Sequence, residues 1–373
     1  MKIREIRAAG LRGATPKGGW SNELRPDDVV HTLVRVETDE GLCGTGSAFT
    51  SETLVRGALE VLRPLCLGES ALEPERVSEK LHQHTFWQGR GGAITHAISG
   101  IDLALWDLLG KAVGQPAGRL LGGRYRERVR PYASILAQEP GPMTAYLQEL
   151  LDQGFTAFKI GWGPLGRVDA ATDERIVRAA RQAIGDRCLL MVDPGASDAH
   201  WRGDLKWALR TAAMLAGFGV AWFEEPLRPD LLSDFVALRG AAPVPIAGGE
   251  VLTRRQAFTP FLLAGAFDVV QPDVTKAGGL SEVRRVGWLA QEMGVRLIPH
   301  GWNTALGLAA DLQLASALPG TDLVEYKTGS PYIDELTTEP WQLDGDGCLP
   351  IPERPGLGVI LDEERVRRYA RDF

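Results

Sequence analysis

Residues 188–225 read CLLMVDPGASDAHWRGDLKWALRTAAMLAGFGVAWFEE. This stretch is one complete unit. An apolar run ends at Asp193, a segment with helical spacing follows (DLKWALRTAAMLAGFG), and a second apolar run ends at Glu224. Short apolar runs of this kind read as buried strands. Apolar residues every three or four positions read as the covered face of a helix.

The unit repeats in both directions. Upstream, VRPYASIL is a strand, MTAYLQELLDQG a helix, FTAFKIG a strand and ERIVRAARQAIGD a helix. Downstream, LLSDFVALRGAA leads to VPIAGGE, RRQAFTPFLLAGA to FDVVQPD, LSEVRRVGWLAQEMG to VRLIPH, and ALGLAADLQLASAL to DLVEY. The strands start near Val129, Phe155, Cys188, Val220, Val244, Phe267, Val295 and Asp322. Such alternation predicts an α/β protein built as a barrel of parallel strands with returning helices. The competitor is a doubly wound sheet, whose ligand would sit at one switch point.

Six polar residues favour the barrel. Asp193, Glu224, Glu250, Asp273, His300 and Glu325 follow one another at intervals of 31, 26, 23, 27 and 25 residues, by subtraction of residue numbers. Each ends a strand at the same end. In a barrel those ends ring a single mouth, where active sites are built.

Ahead of the barrel, residues 1–125 hold strands followed by helices, an α+β pattern. HTLVRVETDEGLCGTG reads as a hairpin turning at TDEG, and residues 52–122 are helical in pattern. A polar loop from about Ala14 to Asp28 carries Trp20. The barrel is expected over 126–326. The tail, 327–373, loses the alternation and is expected to pack back on the front region.

The chain has 373 residues, 44% hydrophobic and 24% charged, with a net charge of -7. No basic block supports nucleic-acid binding. No run approaches the roughly 18 apolar residues of a membrane span, and MKIREIRAAGLRGATPKGG lacks a signal-peptide core. Cys43, Cys66, Cys188 and Cys348 are far apart and read as reduced thiols. The expectation is a cytoplasmic homo-oligomer acting on a small-molecule carboxylate, with no nucleic-acid or membrane partner.

Asp193, Glu224 and Glu250 stand on neighbouring strands. Three adjacent carboxylates repel unless a cation joins them. All-oxygen ligands point to one Mg2+ per subunit, with Mn2+ as the alternative. Asp273 and His300 also end neighbouring strands, about 4.8 Å apart, so the carboxylate can bind the imidazole and raise its basicity. Lys159, ending the second strand, can neutralise an oxyanion. Glu325 can donate to an oxyanion if protonated, or act as a structural partner if ionised. Glu225 should face away, Lys276 supports the loop after Asp273, and the other five histidines are read as structural. Trp20, Arg90 (in TFWQGRGG, residues 85–92), Trp162 and Trp302 are candidate walls for a substrate.

These residues resemble a family. HAISGIDLALWDLLGKAVGQPAGRLLGG, GFTAFKIG, MVD, WFEEP, GGE, QPDVTKAGG, HGWNT, VEY and PGLGV match, in order, the mandelate racemase/muconate lactonizing enzyme group of the enolase superfamily. The resemblance implies a capping domain over a modified (β/α)7β barrel, with the first strand–helix units less regular than the alternation suggests. It implies Mg2+ on Asp193, Glu224 and Glu250. It also implies removal of the proton α to a carboxylate, His300 and Asp273 as the base dyad, and Glu325 at the substrate carboxylate. Two departures stand out. The racemase-like pattern Lys-x-Lys is here Lys159-Ile160-Gly161, so the base of the opposite face is missing (an alternative register places Lys159 at the second lysine, with a deletion). Asp-x-Asn is here Asp193-Pro194-Gly195. One base suits an acid sugar dehydratase, in which His300 takes the α-proton and then protonates the departing β-hydroxyl. A racemase, epimerase or cycloisomerase is the alternative, and a non-catalytic ligand-binding barrel the third reading.

Overall fold

The computed structural model describes residues 1–14, 30–197, 201–370 and 373. Trp20 and His200 lie outside the described residues.

The front region begins with an antiparallel sheet of β1 (Ile3–Gly10), β2 (Thr32–Thr38) and β3 (Cys43–Ala48). The hairpin turns at residues 39–42, where TDEG predicted it. Helices α1 (Glu52–Cys66), α2 (Pro74–His84), α3 (Gly92–Val113) and α4 (Ala117–Leu120) follow. Helix α3 lies so close to β3 that glycine is required on both sides. A Cβ on Gly44 would stand 2.1 Å from the Ala104 carbonyl oxygen, and one on Gly46 would stand 2.2 Å from that of Gly100. A Cβ on Gly100 of α3 would in turn meet the Val34 side chain of β2 at 2.7 Å, so close packing explains the glycines of both CGTG and SGID.

The polar residues of α3 tie the front region to everything else. Ser99 accepts from the Gly278 N–H at 2.9 Å. Asp102 accepts from the Ser281 N–H at 3.0 Å and its hydroxyl at 2.5 Å. Asp107 accepts from the N–H groups of Thr45 and Leu357, each at 3.0 Å. Buried polar groups are tolerated when bonded in this way. Burial pushes the Asp102 carboxyl up to about 7.

Eight parallel strands follow: β4 (Arg128–Leu136), β5 (Ala157–Gly161), β6 (Leu189–Asp193), β7 (Trp222–Glu224), β8 (Ile246–Gly248), β9 (Val269–Val270), β10 (Arg296–Leu297) and β11 (Leu323–Lys327). Between them run seven helices, α5 (Pro140–Asp152), α6 (Ala170–Ile184), α7 (Leu205–Ala216), α8 (Leu232–Ala241), α9 (Arg254–Ala264), α10 (Gly279–Glu292) and α11 (Ala305–Ala317). The sheet order is β10-β9-β8-β7-β6-β5-β4-β11, so the last strand pairs with the first. The seam between β10 and β11 is bridged where the Gly301 N–H donates to Glu325 Oε2 at 2.8 Å. This is the (β/α)7β barrel. Its first unit, expected to be irregular, is a nine-residue strand and a thirteen-residue helix.

One inner layer takes a residue from every strand: Tyr132, Ala157, Met191, Trp222, Ala247, Val269, Ile298 and Leu323. The barrel is therefore filled, as small barrels are. The layer also sets the floor of the mouth above it.

The tail crosses between regions. After α12 (Pro331–Asp334), β12 (Leu349–Pro350) adds antiparallel to β4, and α13 (Glu363–Tyr369) reaches the front region, where Arg12 N–H donates to the Tyr369 carbonyl at 3.0 Å. The tail thus packs on the barrel's first strand as well as on the front region. The four cysteines are free thiols. Among the described residues no helix is long and apolar enough to cross a membrane.

Candidate active site

Side chains in a strand alternate between faces, so a residue two positions beyond an inner-layer residue also faces inward. Two beyond Ala157 is Lys159, two beyond Met191 is Asp193, and two beyond Trp222 is Glu224. Two beyond Ile298 is His300, and two beyond Leu323 is Glu325. Five of the strand-end residues therefore stand in one ring directly above the floor. Glu250 is one residue further on. It follows Gly249, whose φ of +113° lets the chain turn there.

Asp193, Glu224 and Glu250 are buried, and each offers a carboxylate oxygen within 4.8 Å of the others. Burial, with Glu224 next, pushes the Asp193 carboxyl well above its ordinary range. Such a set is favourable only with positive charge among its oxygens. A hard divalent cation with oxygen ligands fits it. Trp222 Nε1 donates to Glu224 Oε2 at 2.8 Å and so orients that carboxylate from the floor. Glu225 faces the other way and accepts the Gly249 N–H at 3.1 Å.

Lys159 points into the same ring. Its ammonium pairs with Glu224, lies 2.9 Å from Glu325 Oε1 and 3.6 Å from Asp193 Oδ2. Burial opposes its charge, but Glu224 and Glu325 outweigh it and hold the pKa well above the usual value. Glu325 is ionised. Burial would raise it, yet Lys159, His300 and the Gly301 N–H bring it to about 2. The ionised alternative is therefore the one the structure supports.

His300 Nδ1 lies 2.7 Å from Asp273 Oδ2, and Nε2 lies 3.2 Å from Glu250 Oε2. Asp273 is fully buried. Burial alone would raise its pKa, but the His300 hydrogen bond and Lys276 hold it at about 2. An ionised Asp273 makes Nδ1 the donor and leaves Nε2 facing the ring. For His300, burial and Lys276 work against the imidazolium, while Glu250, Glu325 and Asp273 raise its pKa overall. Thr275 holds Asp273 through its N–H at 2.6 Å and its hydroxyl at 2.5 Å.

Across the mouth from the dyad, β5 ends at Gly161, which carries no side chain. Gly161 pairs with Asp193 in the β5–β6 register, and a Cβ there would meet Asp193 Oδ2 at 3.2 Å. The next residue, Trp162, has φ +56°, rare for a bulky side chain. A Cβ on Gly195 would stand 2.4 Å from Trp162 Cε2, so the indole occupies the space a side chain at 195 would need. Trp162 thus accounts for the glycine at 195, while Gly161 is closed in by Asp193 itself. Arg167 braces the loop, donating to the Pro194 carbonyl at 2.6 Å and that of Gly195 at 3.2 Å.

The remaining candidates are spread out. Trp302 packs under the Lys327 ammonium, 5.1 Å from the ring centroid. Arg90 is exposed and stacks 5.0 Å over Phe86, without an ion pair or hydrogen bond to the strand-end ring among the described residues. At the roof, sequence reading missed Phe49, and it named His31 and Lys276 without placing them there. Phe49, just after β3, lies 6.5 Å edge-on from the His300 ring; His31 lies 5.0 Å edge-on from Phe49, and the Lys276 ammonium sits 4.2 Å from the Phe49 centroid. The available signal was position, since His31 and Phe49 flank the predicted front hairpin.

A model of the enolase C-terminal domain-like family matches residues 142–365, and one of the mandelate racemase/muconate lactonizing enzyme N-terminal domain matches 27–122. The chain is 32% identical to a D-galactarolactone cycloisomerase of Agrobacterium fabrum, covering 99% of each protein. It is 30% identical to a D-xylonate dehydratase of Haloferax volcanii, over 98% of this chain and 94% of that protein. Among solved structures, a racemase from Streptomyces coelicolor A3(2) with bound magnesium superposes with a TM-score of 0.87 at 30% identity, over 99% of each chain. With the carboxylate trio and the histidine dyad at one barrel mouth, these likenesses carry one conclusion: the chain belongs to the mandelate racemase/muconate lactonizing enzyme family of the enolase superfamily.

Proposed function

We propose that the protein is a Mg2+-dependent sugar acid dehydratase acting on an aldonate or aldarate. In this reading residues 126–326 carry the chemistry, 1–125 cap the mouth and 327–373 tie the two together. Asp193, Glu224 and Glu250 hold the ion, which when bound supplies positive charge beside the substrate carboxylate. His300 Nε2 takes the proton from the carbon α to that carboxylate, and Asp273 keeps the imidazole in the right tautomer and orientation. Lys159 places a fixed cation where negative charge develops on the carboxylate oxygens. Glu325 positions Lys159 and, through Gly301, the segment after His300. The proton on His300 then goes to the β-hydroxyl on the same face. The β C–O bond breaks, water leaves, and the enol takes a proton at C3 to give a 2-keto-3-deoxy acid.

The observation that carries this reading is the asymmetry of the mouth. A hydrogen-bonded histidine stands on one side, and Gly161 followed by Trp162 on the other. Inverting a carbon needs groups on both of its faces; a same-face elimination needs one. A panel of aldonates and aldarates incubated with Mg2+ and scored for 2-keto acid tests it. Product from a true substrate with the His300→Asn variant at the wild-type rate would refute the mechanism.

The likeness to a cycloisomerase supports a second reading with the same first step. If the β-oxygen belongs to a ring of the substrate, the same bond cleavage opens the ring and no water is lost. Mass measurement of the product distinguishes them, since dehydration removes one water and ring opening leaves the mass unchanged.

A further inference from the structure

A cavity of about 320 Å³ lies away from the barrel mouth, where β2–β3, the end of α3, the start of α11 and the tail meet. Its wall carries three cations, Arg35, Lys111 and Arg367, and two carboxylates, Asp107 and Glu363. Both carboxylates are taken. Lys111 Nζ lies 2.6 Å from Asp107 Oδ2, and Arg367 Nη2 lies 3.0 Å from Glu363 Oε2. Arg35 is left over. Among the described residues it has no ion pair, and its buried Nε has no hydrogen-bond partner. Arg7, its register partner on β1, is by contrast paired with Glu5 and Glu37.

Apart from Thr45, the rest of the wall is apolar, including Leu306, Ile360, Val366 and Phe373. The Arg35 guanidinium stands 5.7 Å over the Phe373 ring. A larger cavity, about 600 Å³ beside Tyr146 and Trp341, offers no such opening for a charged ligand. Its one carboxylate, Asp334, already accepts from the Tyr326 hydroxyl at 2.5 Å.

We propose that the Arg35 cavity is a binding site for a small organic anion, a carboxylate on a compact apolar body. A half-buried guanidinium presents a planar fork that matches a carboxylate in two hydrogen bonds and stacks on an aromatic face. With Lys111 and Arg367 each paired to a carboxylate, Arg35 is the one wall cation without an ion pair among the described residues, a placed polar group beside an apolar face that can orient a small ligand.

Calorimetric titration of the full chain with benzoate tests this without a turnover substrate. Binding at one site per chain is expected, weakened at least tenfold in Arg35→Met, which keeps the aliphatic stem and removes the fork. Val366→Trp keeps every charge, fills the cavity and should abolish binding as well. Phosphate, lacking the apolar body, should bind at least tenfold more weakly than benzoate. Unchanged affinity in both variants, or no benzoate binding at millimolar concentration, would overturn the proposal. So would loss of binding in His300→Asn with retention in Arg35→Met, which would put the benzoate at the barrel mouth. Equal binding of phosphate would overturn the apolar-bodied class. Thermal melts of the two variants show that each is folded.

Discussion

The two sides of the barrel mouth are made from the same strand–helix unit and do different things. On the β9–β10 side, Asp273 holds His300, Thr275 holds Asp273, and Phe49 and Lys276 cover them from above. On the β5–β6 side, Lys159 is enclosed by carboxylates, Gly161 has no side chain, and Trp162 lies across Gly195. In the proposed reaction one side exchanges a proton and the other holds charge still. The difference between them, more than the carboxylate trio, separates one-base from two-base reactions.

The sharpest way to break the comparison is His300→Asn. Loss of the positioned base should lower kcat by roughly 10³- to 10⁴-fold, with the melting temperature little changed. Retention of a tenth of wild-type kcat would remove His300 from the role.

The His300 side is also pinned from outside, because Asp102 of α3 caps the start of α10. Its folded pKa, about 7, is raised from 3.8. A raised folded value contributes stability that is whole below the unfolded pKa. That contribution is lost as pH climbs through the folded one. Wild-type stability should therefore fall between about pH 4 and pH 7, by up to about 4 kcal/mol. The fall should flatten in Asp102→Asn when urea midpoints are compared across that range.

On the charge-holding side, Lys159→Met should lower kcat by roughly 10²- to 10³-fold. Because Lys159 competes for the Glu224 carboxylate, Mg2+ measured by calorimetry should bind as tightly or more tightly in the variant. A parallel loss of Mg2+ affinity would make Lys159 part of the metal site instead. The smallest effect is expected from Gly161→Ala. Its Cβ would stand 2.9 Å from the Asp193 carbonyl oxygen, so the metal strand must shift. About a tenfold loss of Mg2+ affinity should follow; an unchanged value would mean that the β5–β6 contact does not position Asp193.

Much of this site was legible in advance, for a reason tied to strand geometry. Lys159, Asp193, Glu224, His300 and Glu325 lie at the ends of apolar runs and keep the parity of the inner layer. Period-two alternation is written locally. Glu250 keeps the spacing but not the parity, and only the turn at Gly249 brings it into the ring. The roof was not legible. His31 and Phe49 belong to a different part of the chain, and no local pattern says that they meet His300. Nor could the sequence explain Gly195, because the indole that excludes a side chain there comes from the preceding unit. The buried polar residues of α3 are explained only by distant partners, as where Asp102 meets Ser281, 179 residues away.

By itself, then, the sequence determined the repeating unit, the barrel and the identity of the polar strand ends, because backbone periodicity and hydrophobic patterning act over a few residues at a time. Only the tertiary structure decided which of those ends touch. It set Lys159 between Glu224 and Glu325, laid Trp162 over Gly195 and left Arg35 without a counter-ion among the described residues. Those outcomes depend on how a closed ring of strands and a folded-back tail bring distant side chains within bonding distance, and no local pattern encodes that.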